Sequence, residues 1–207
     1  MVSNEEILVN KRNGRGKEAL QIDKIHAMVG FATDGITGVS ASHVEMNSGI
    51  QLFDGISTAD IQQILIKSAN DLITLESPNY QYVAARLLLF SLRKQLFHRL
   101  WDHPKLIDHI KKLIEMGLYD KDILVNYDES EIDRMNMWID HERDYNFTYA
   151  GLRQVMDKYL VQDRSTGEIF ETPQFMYMMI SATLFAQYPK DKRMSYVKKY
   201  YDAVSKF

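Results

Sequence analysis

Apolar side chains recur along most of this chain at three- and four-residue spacing, with few glycines or prolines between them, and that period predicts a predominantly α-helical protein. The opening twenty residues break the rule. Ile7, Leu8 and Val9 run into Lys11-Arg12-Asn13-Gly14-Arg15-Gly16-Lys17 and then into Ala19, Leu20 and Ile22. Two short apolar runs around an Asn-Gly predict a β-hairpin, because asparagine and glycine accept the positive φ such a turn needs.

Helix signals follow in sequence. Asp23 can cap a helix to about Phe31, closed by Gly35 and Gly38. Ser42-x-x-Glu45 has the form of a capping box for a second helix reaching about Phe53. Ser57-Thr58 lead a third, with Ile61, Leu65, Ala69, Leu72 and Ile73 along one face. Ser77-Pro78 start a fourth, running to about Phe97 and apolar on nearly every side, which predicts the most buried element.

His98 to Pro104 is polar and restarts a helix at its proline, so it is the expected boundary between 1–99 and 100–207. Beyond it the pattern predicts a helix to about Met116, short pieces near Lys121–Leu124 and Glu131–Ile139, a helix over Thr148–Leu160, and a turn over Asp163–Glu168. A helix from Gln174 to about Gln187, opened by Thr172-Pro173, and a last one from Asp191 complete the chain. Met176, Met178 and Met179, beside Phe175 and Tyr177, read as core filling.

Composition narrows the chemistry. With 45% apolar residues over 207 positions the chain can build a core. It has no cysteine, which removes disulfides, thiolate zinc sites, iron–sulfur clusters and thiol catalysis. A net charge of −3 argues against a nucleic-acid-coating protein. There is no basic, apolar leader and no apolar run of membrane-spanning length, so the expected address is the cytoplasm, with no membrane and no direct nucleic-acid partner.

One cluster suggests ligand chemistry. Lys11, Arg12, Arg15 and Lys17 flank two glycines, so backbone N–H groups and cations converge as they would around a polyphosphate. A solvated surface turn is the plainer reading, and the Walker pattern is absent because Lys17 is followed by Glu18. Lys24 and Lys94 are further cations that could pack beside the hairpin. His141-Glu142 begins like a zinc-protease motif, but Tyr145 stands where the second ligand belongs. His98, His103 and His109 are five and six apart and do not share a helical face, so no metal site is expected. Asp120, Asp122, Asp128, Glu129 and Glu131 read as helix starts, and no catalytic constellation is expected.

Several segments together resemble the N-terminal region of the class Ia ribonucleotide reductase large (α) subunit of bacteria and phages. They are Leu8-Val9-Asn10-Lys11-Arg12-Asn13-Gly14, Ile22-Asp23-Lys24-Ile25-His26, Asp54-Gly55-Ile56, Tyr80-Gln81-Tyr82-Val83-Ala84-Ala85-Arg86-Leu87, Ile139-Asp140-His141-Glu142-Arg143-Asp144, Lys158-Tyr159-Leu160-Val161-Gln162, Thr166-Gly167-Glu168-Ile169-Phe170-Glu171, Pro173-Gln174-Phe175 and Tyr201-Asp202-Ala203-Val204-Ser205. The first half alone would give only an ATP-cone, and the stretch from Ile139 onward is the specific part.

The resemblance implies a mainly α fold: an ATP-cone at 1–99, a four-helix bundle under a small β-cap, then the helical N-terminal part of the reductase domain at 100–207. It implies allosteric binding of ATP as activator or dATP as inhibitor, with Mg²⁺. Carried over by position, Val9, Lys11 and Arg12 would lie on the nucleotide, and Glu18, Ala19, Leu20, Gln21, Ile22, Asp23 and Lys24 would wrap base and ribose. Glu18 and Gln21 would hydrogen-bond the base, Ile25 and Ile61 would pack it, Thr58 would reach base or sugar, and Lys11, Lys24 and Lys94 would meet the triphosphate. Gln62 and Ser91 stand where relatives have histidines near ribose and phosphates, which raises the alternative of a degenerate cone acting as a docking module. Implied partners are the small (β) subunit and the remaining catalytic part of the large subunit, as a homo-oligomer when complete. The catalytic cysteines of the family would lie beyond Phe207, so the chain reads as a truncation or split-gene product, inactive alone.

Overall fold

A computed structural model of the chain describes residues 8–11, 16–48, 54–98 and 101–206. Among them are ten α-helices, one 3-10 helix and one two-stranded antiparallel sheet, so the fold is mainly α. The chain divides into two compact units, one formed by the stretch up to Ser91 with Thr148–Leu152, the other by Leu92–Phe147 with Arg153–Phe207. No helix among the described residues is long and apolar enough to cross a membrane.

In the first unit, β1 (Leu8–Asn10) pairs with β2 (Lys17–Ala19) in the register Leu8 to Ala19, Val9 to Glu18 and Asn10 to Lys17. Gly16, at φ +96°, takes a conformation that L side chains rarely adopt. The other edge of β1 is also occupied. Gly55 N–H donates to the Leu8 carbonyl at 2.8 Å and Asn10 N–H to that of Ile56 at 2.9 Å, while the Asn10 side-chain amide donates to the Gly55 carbonyl at 2.6 Å. β1 is therefore held on both sides, and its second neighbour runs straight into α3 (Thr58–Asp71), capped by Ser57 through the Asp60 N–H at 3.0 Å.

Val29 and Ala32 of α1 (Ile22–Thr33), Val44 of α2 (Ala41–Asn47), Leu65 and Ala69 of α3, and Val83, Ala84 and Leu87 of α4 (Tyr80–Phe97) are buried. Side chains tie these helices to distant backbone. Tyr80 Oη accepts from Ser40 N–H at 3.1 Å, Ser68 Oγ donates to the Val44 carbonyl, and Arg86 donates to the Asp34 carbonyl at 2.6 Å. α1 starts two residues earlier than expected, with Gln21 rather than Asp23 at its N-cap. α2 ends at Asn47, and its N-cap is Ser40, which puts Ser42 inside the first turn, so no Ser42–Glu45 box forms; the Glu45 carboxylate lies 2.7 Å from His26 Nδ1. The expected end of that helix at Phe53 lies outside the described residues.

The second unit contains α5 (Leu106–Glu115), α6 (Asp122–Asn126), α7 (Glu129–Trp138), α8 (Tyr149–Lys158, shared with the first unit), α9 (Pro173–Phe185) and α10 (Lys190–Ser205). Leu106, Ile110, Ile132, Met135, Phe175, Met178, Val197 and Tyr201 belong to one buried cluster. Asp128 and Glu131 form a reciprocal capping box at the start of α7. Glu131 also receives Arg193 of α10, whose Nε donates to it at 3.0 Å and whose guanidinium lies 4.3 Å above the Tyr127 ring. Tyr127 Oη donates to the Ala182 carbonyl of α9 at 2.7 Å, and burial pushes its pKa up to about 12. One buried ion pair thus joins α7, α9 and α10.

Removing one partner of a buried pair leaves the other charge uncompensated. Arg193→Met is expected to lower stability by about 3 kcal/mol, and adding Glu131→Gln, which keeps the cap, should recover part of the loss. Urea unfolding followed by tryptophan fluorescence measures this, since Trp101 and Trp138 both belong to the second unit.

Candidate functional site

The hairpin and the two helices it adjoins gather most of the sequence-derived candidates. Val9 and Glu18 are directly paired, and Lys11 stands two residues beyond Val9, so all three share one face of the hairpin. Val9 is buried. Lys11 Nζ reaches Glu18 Oε2 at 2.8 Å. The hydrogen bond from Lys11 holds the Glu18 carboxyl below its ordinary pKa, and the charges of Lys11 and Lys24 act in the same direction.

Ala19 ends β2, and Leu20 and Gln21 carry the chain directly into α1. Gln21 makes no side-chain bond to the first turn, which holds Ile22, Asp23, Lys24 and Ile25. Ile22, Asp23 and Lys24 are exposed, and Leu20 and Ile25 half-buried. The Asn10 to Ile56 bond brings in the start of α3, with Thr58 half-buried in its first turn and Ile61 buried below. Together these make a small surface of cations, a carboxylate, an amide and N-terminal helix N–H groups over an apolar floor, able to bind an anion joined to a polar ring. Arg12 lies outside the described residues. Lys94 is half-buried in the last turn of α4, within the second unit.

Gln62 is not on that surface. It is buried, and its Nε2 donates to the Leu87 carbonyl at 2.9 Å, tying α3 to α4. Ser91 is buried as well.

The second unit holds a polar cluster that the sequence did not disclose. Arg93, a cation inside the apolar run of α4, is buried and donates to the His141 carbonyl at 2.7 Å and to Tyr145 Oη at 2.9 Å. Asp144 lies 3.6 Å from the same guanidinium and accepts from Gln174 Nε2 at 2.8 Å, while Gln174 Oε1 accepts from Tyr201 Oη at 2.6 Å. His103 and His141 stack in parallel, centroids 3.6 Å apart, and His109 stacks on Phe175. Burial drives His103 and His109 down to about 4 and His141 to about 2, helped by neighbouring cationic groups. Burial raises Asp144 to about 6 against the pull of Arg93. Among the described residues no group of three His, Asp or Glu side chains could hold a metal ion. An arginine within the apolar stretch of α4 was the one available sign of this cluster, and its partners His141, Asp144 and Tyr145 lie some fifty residues away.

Comparison with known proteins finds two family matches: the ATP cone domain over residues 7–95, and the ribonucleotide reductase all-alpha domain over residues 145–207. The ribonucleoside-diphosphate reductase 1 subunit alpha of Escherichia coli is 48% identical over 99% of this chain and 26% of its own length. The corresponding subunit alpha of Haemophilus influenzae is 48% identical over 99% of the chain and 27% of its own length, and that of Enterobacteria phage T4 is 41% identical over 96% and 26%. The chain spans about a quarter of the length of these relatives.

The three histidines of this cluster set a pH response. Above about pH 6.5 the three rings are neutral in folded and unfolded chains alike. Below it the unfolded chain takes up protons that the folded one accepts only near pH 4 at His103 and His109 and near 2 at His141, so stability falls as pH drops from 6.5 toward 4. Asp144 and Glu171, both raised by burial, oppose this, two groups against three. The urea midpoint read by tryptophan fluorescence should be lower at pH 5 than at pH 7. His109→Phe should flatten the dependence, since a buried histidine adds a slope of up to about 1.4 kcal/mol per pH unit.

Proposed function

Since the chain belongs to the ribonucleotide reductase α-subunit family, with an ATP-cone followed by the all-alpha domain, we propose that it binds ATP or dATP as an allosteric effector. The observation that carries this reading is the meeting of Lys11, Glu18, Lys24 and the start of α3 on the hairpin face, inside the stretch that matches the ATP cone. In this reading Glu18 and Gln21 hydrogen-bond the adenine, Ile25 and Ile61 pack it, and Thr58 meets base or sugar. Val9, Ala19, Leu20, Ile22 and Asp23 line the site. Lys11, Lys24 and Arg12 face the phosphates, and Mg²⁺ covers part of the remaining charge. Lys94 is assigned to the triphosphate on the resemblance alone.

ATP then acts as activator and dATP as inhibitor of deoxyribonucleotide synthesis by the complete enzyme, in company with a β subunit and the rest of the α subunit. A second reading, a cone that docks partners without regulating, draws support from Gln62. Its side chain is buried, with Nε2 donating to the Leu87 carbonyl, so it ties α3 to α4 and is not presented on the hairpin surface.

Calorimetry on the full chain with Mg-ATP and Mg-dATP tests the proposal. Binding is expected to both, weakened at least tenfold by Lys24→Ala and by Lys11→Ala, and Lys94→Ala tests that residue separately. Absence of binding at high micromolar nucleotide would overturn the regulatory reading and leave the docking one.

A further inference from the structure

His103 and His109 both line an open cleft of about 370 Å³ in the second unit, a volume within the range of small-molecule sites. Each has an Nε2 that is buried and has no hydrogen-bond partner among the described residues. His109 is 3% exposed and its ring stacks on Phe175 at 4.3 Å, so it cannot swing out to water without losing that stack. A polar atom left unmet in the interior costs free energy that a hydrogen bond from a ligand recovers.

The tautomer of His103 says which kind of hydrogen bond is wanted. That ring is hydrogen-bonded to the Trp101 backbone in a way that favours its proton, as donation to a carbonyl does, and the bond is made by the nitrogen other than Nε2. In the neutral ring Nε2 is then the acceptor, and it calls for an N–H or O–H. Burial holds both imidazoles near 4, so neither adds positive charge to the cleft at neutral pH. The exposed residues of the lining are Asp102, Asp108 and Lys112, two carboxylates against one ammonium. Asp108 and Lys112 stand one turn apart on α5 and form no ion pair with each other among the described residues. Phe97 and Phe170 add aromatic wall, against which a cation or a flat apolar body is favoured.

We propose that this cleft binds a small organic cation that carries several N–H donors on an apolar body, an amidinium, guanidinium or primary ammonium. Its N–H groups meet His103 Nε2 and the Asp108 carboxylate, and its body lies against Phe97 and Phe170. The cleft shares no residue with the hairpin surface, so the proposal is independent of nucleotide binding there.

Benzamidine is a suitable probe, with benzamide as its neutral counterpart and benzoate as its anionic one. Calorimetry and saturation-transfer NMR on the full chain should show saturable one-to-one binding of benzamidine, about tenfold tighter than benzamide, and none of benzoate. Asp108→Asn, at an exposed position, should weaken benzamidine about tenfold. His103→Phe, which keeps a ring against His141 and removes the acceptor, should weaken it as well, and Lys112→Gln should not. Tryptophan-monitored melting of each variant establishes that it is folded. The proposal is overturned if benzamidine shows no saturable binding at low millimolar concentration, as a cleft that takes only water would. It is also overturned if benzamide or benzoate binds as tightly, if Asp108→Asn leaves the affinity unchanged, or if Lys112→Gln abolishes it.

Discussion

Gln174 is fully buried in the first turn of α9, and both ends of its amide are used. Its nitrogen donates to Asp144, and its oxygen accepts from Tyr201 of α10. Tyr201 Oη in turn accepts from the Asp140 N–H at 2.9 Å, and Asp144 answers Arg93. Four stretches far apart in sequence are fixed by an amide that has one productive orientation. Each buried polar group in this chain of contacts would be costly if its neighbour moved away. That makes the arrangement of α9, α10 and the His141–Asn146 3-10 helix an all-or-none matter in which the apolar contacts of Phe175 and Met178 supply bulk but not uniqueness.

Local signals were readable where the physics is local. Ser57 and Pro173 act on backbone within one turn and do what their positions predict, and Asp128 and Glu131, read only as helix starts, form a full capping box. Ser42 and Glu45 have the same spacing as Asp128 and Glu131, yet the former make no box. The difference is that α2 begins at Ala41, which leaves Ser42 inside the first turn, while the Glu45 carboxylate pairs with His26, nineteen residues away. Partners separated by fifty residues, such as Arg93 and Asp144, leave no periodic trace, so a buried polar cluster is the part of a fold that pattern reading sees least.

The hairpin shows both sides of this. Its cations and glycines are contiguous and could be read directly. Which of them share a face depends on register, and a one-residue slip would carry Glu18 away from Lys11. The register is fixed by two things: Gly16 in its left-handed conformation, and the bonds from Gly55 and Asn10 on the far edge of β1. The 54–57 segment therefore decides the geometry of a surface to which it contributes only Ser57 and the lead into α3.

The Lys11–Glu18 bridge gives this surface a built-in rival for any anion that approaches it. A phosphate that engages Lys11 meets a carboxylate already 2.8 Å away, with which it must share the three donors of the ammonium. A ligand carrying an anion at one end and hydrogen-bond donors at the other satisfies both members of the pair at once, while a simple anion satisfies only one. A lysine that already shares its ammonium with Glu18 offers a bare phosphate less than an unpaired lysine would. Added salt, which screens the bridge and the ligand alike, should weaken the interaction less steeply than the number of cations on the face would suggest.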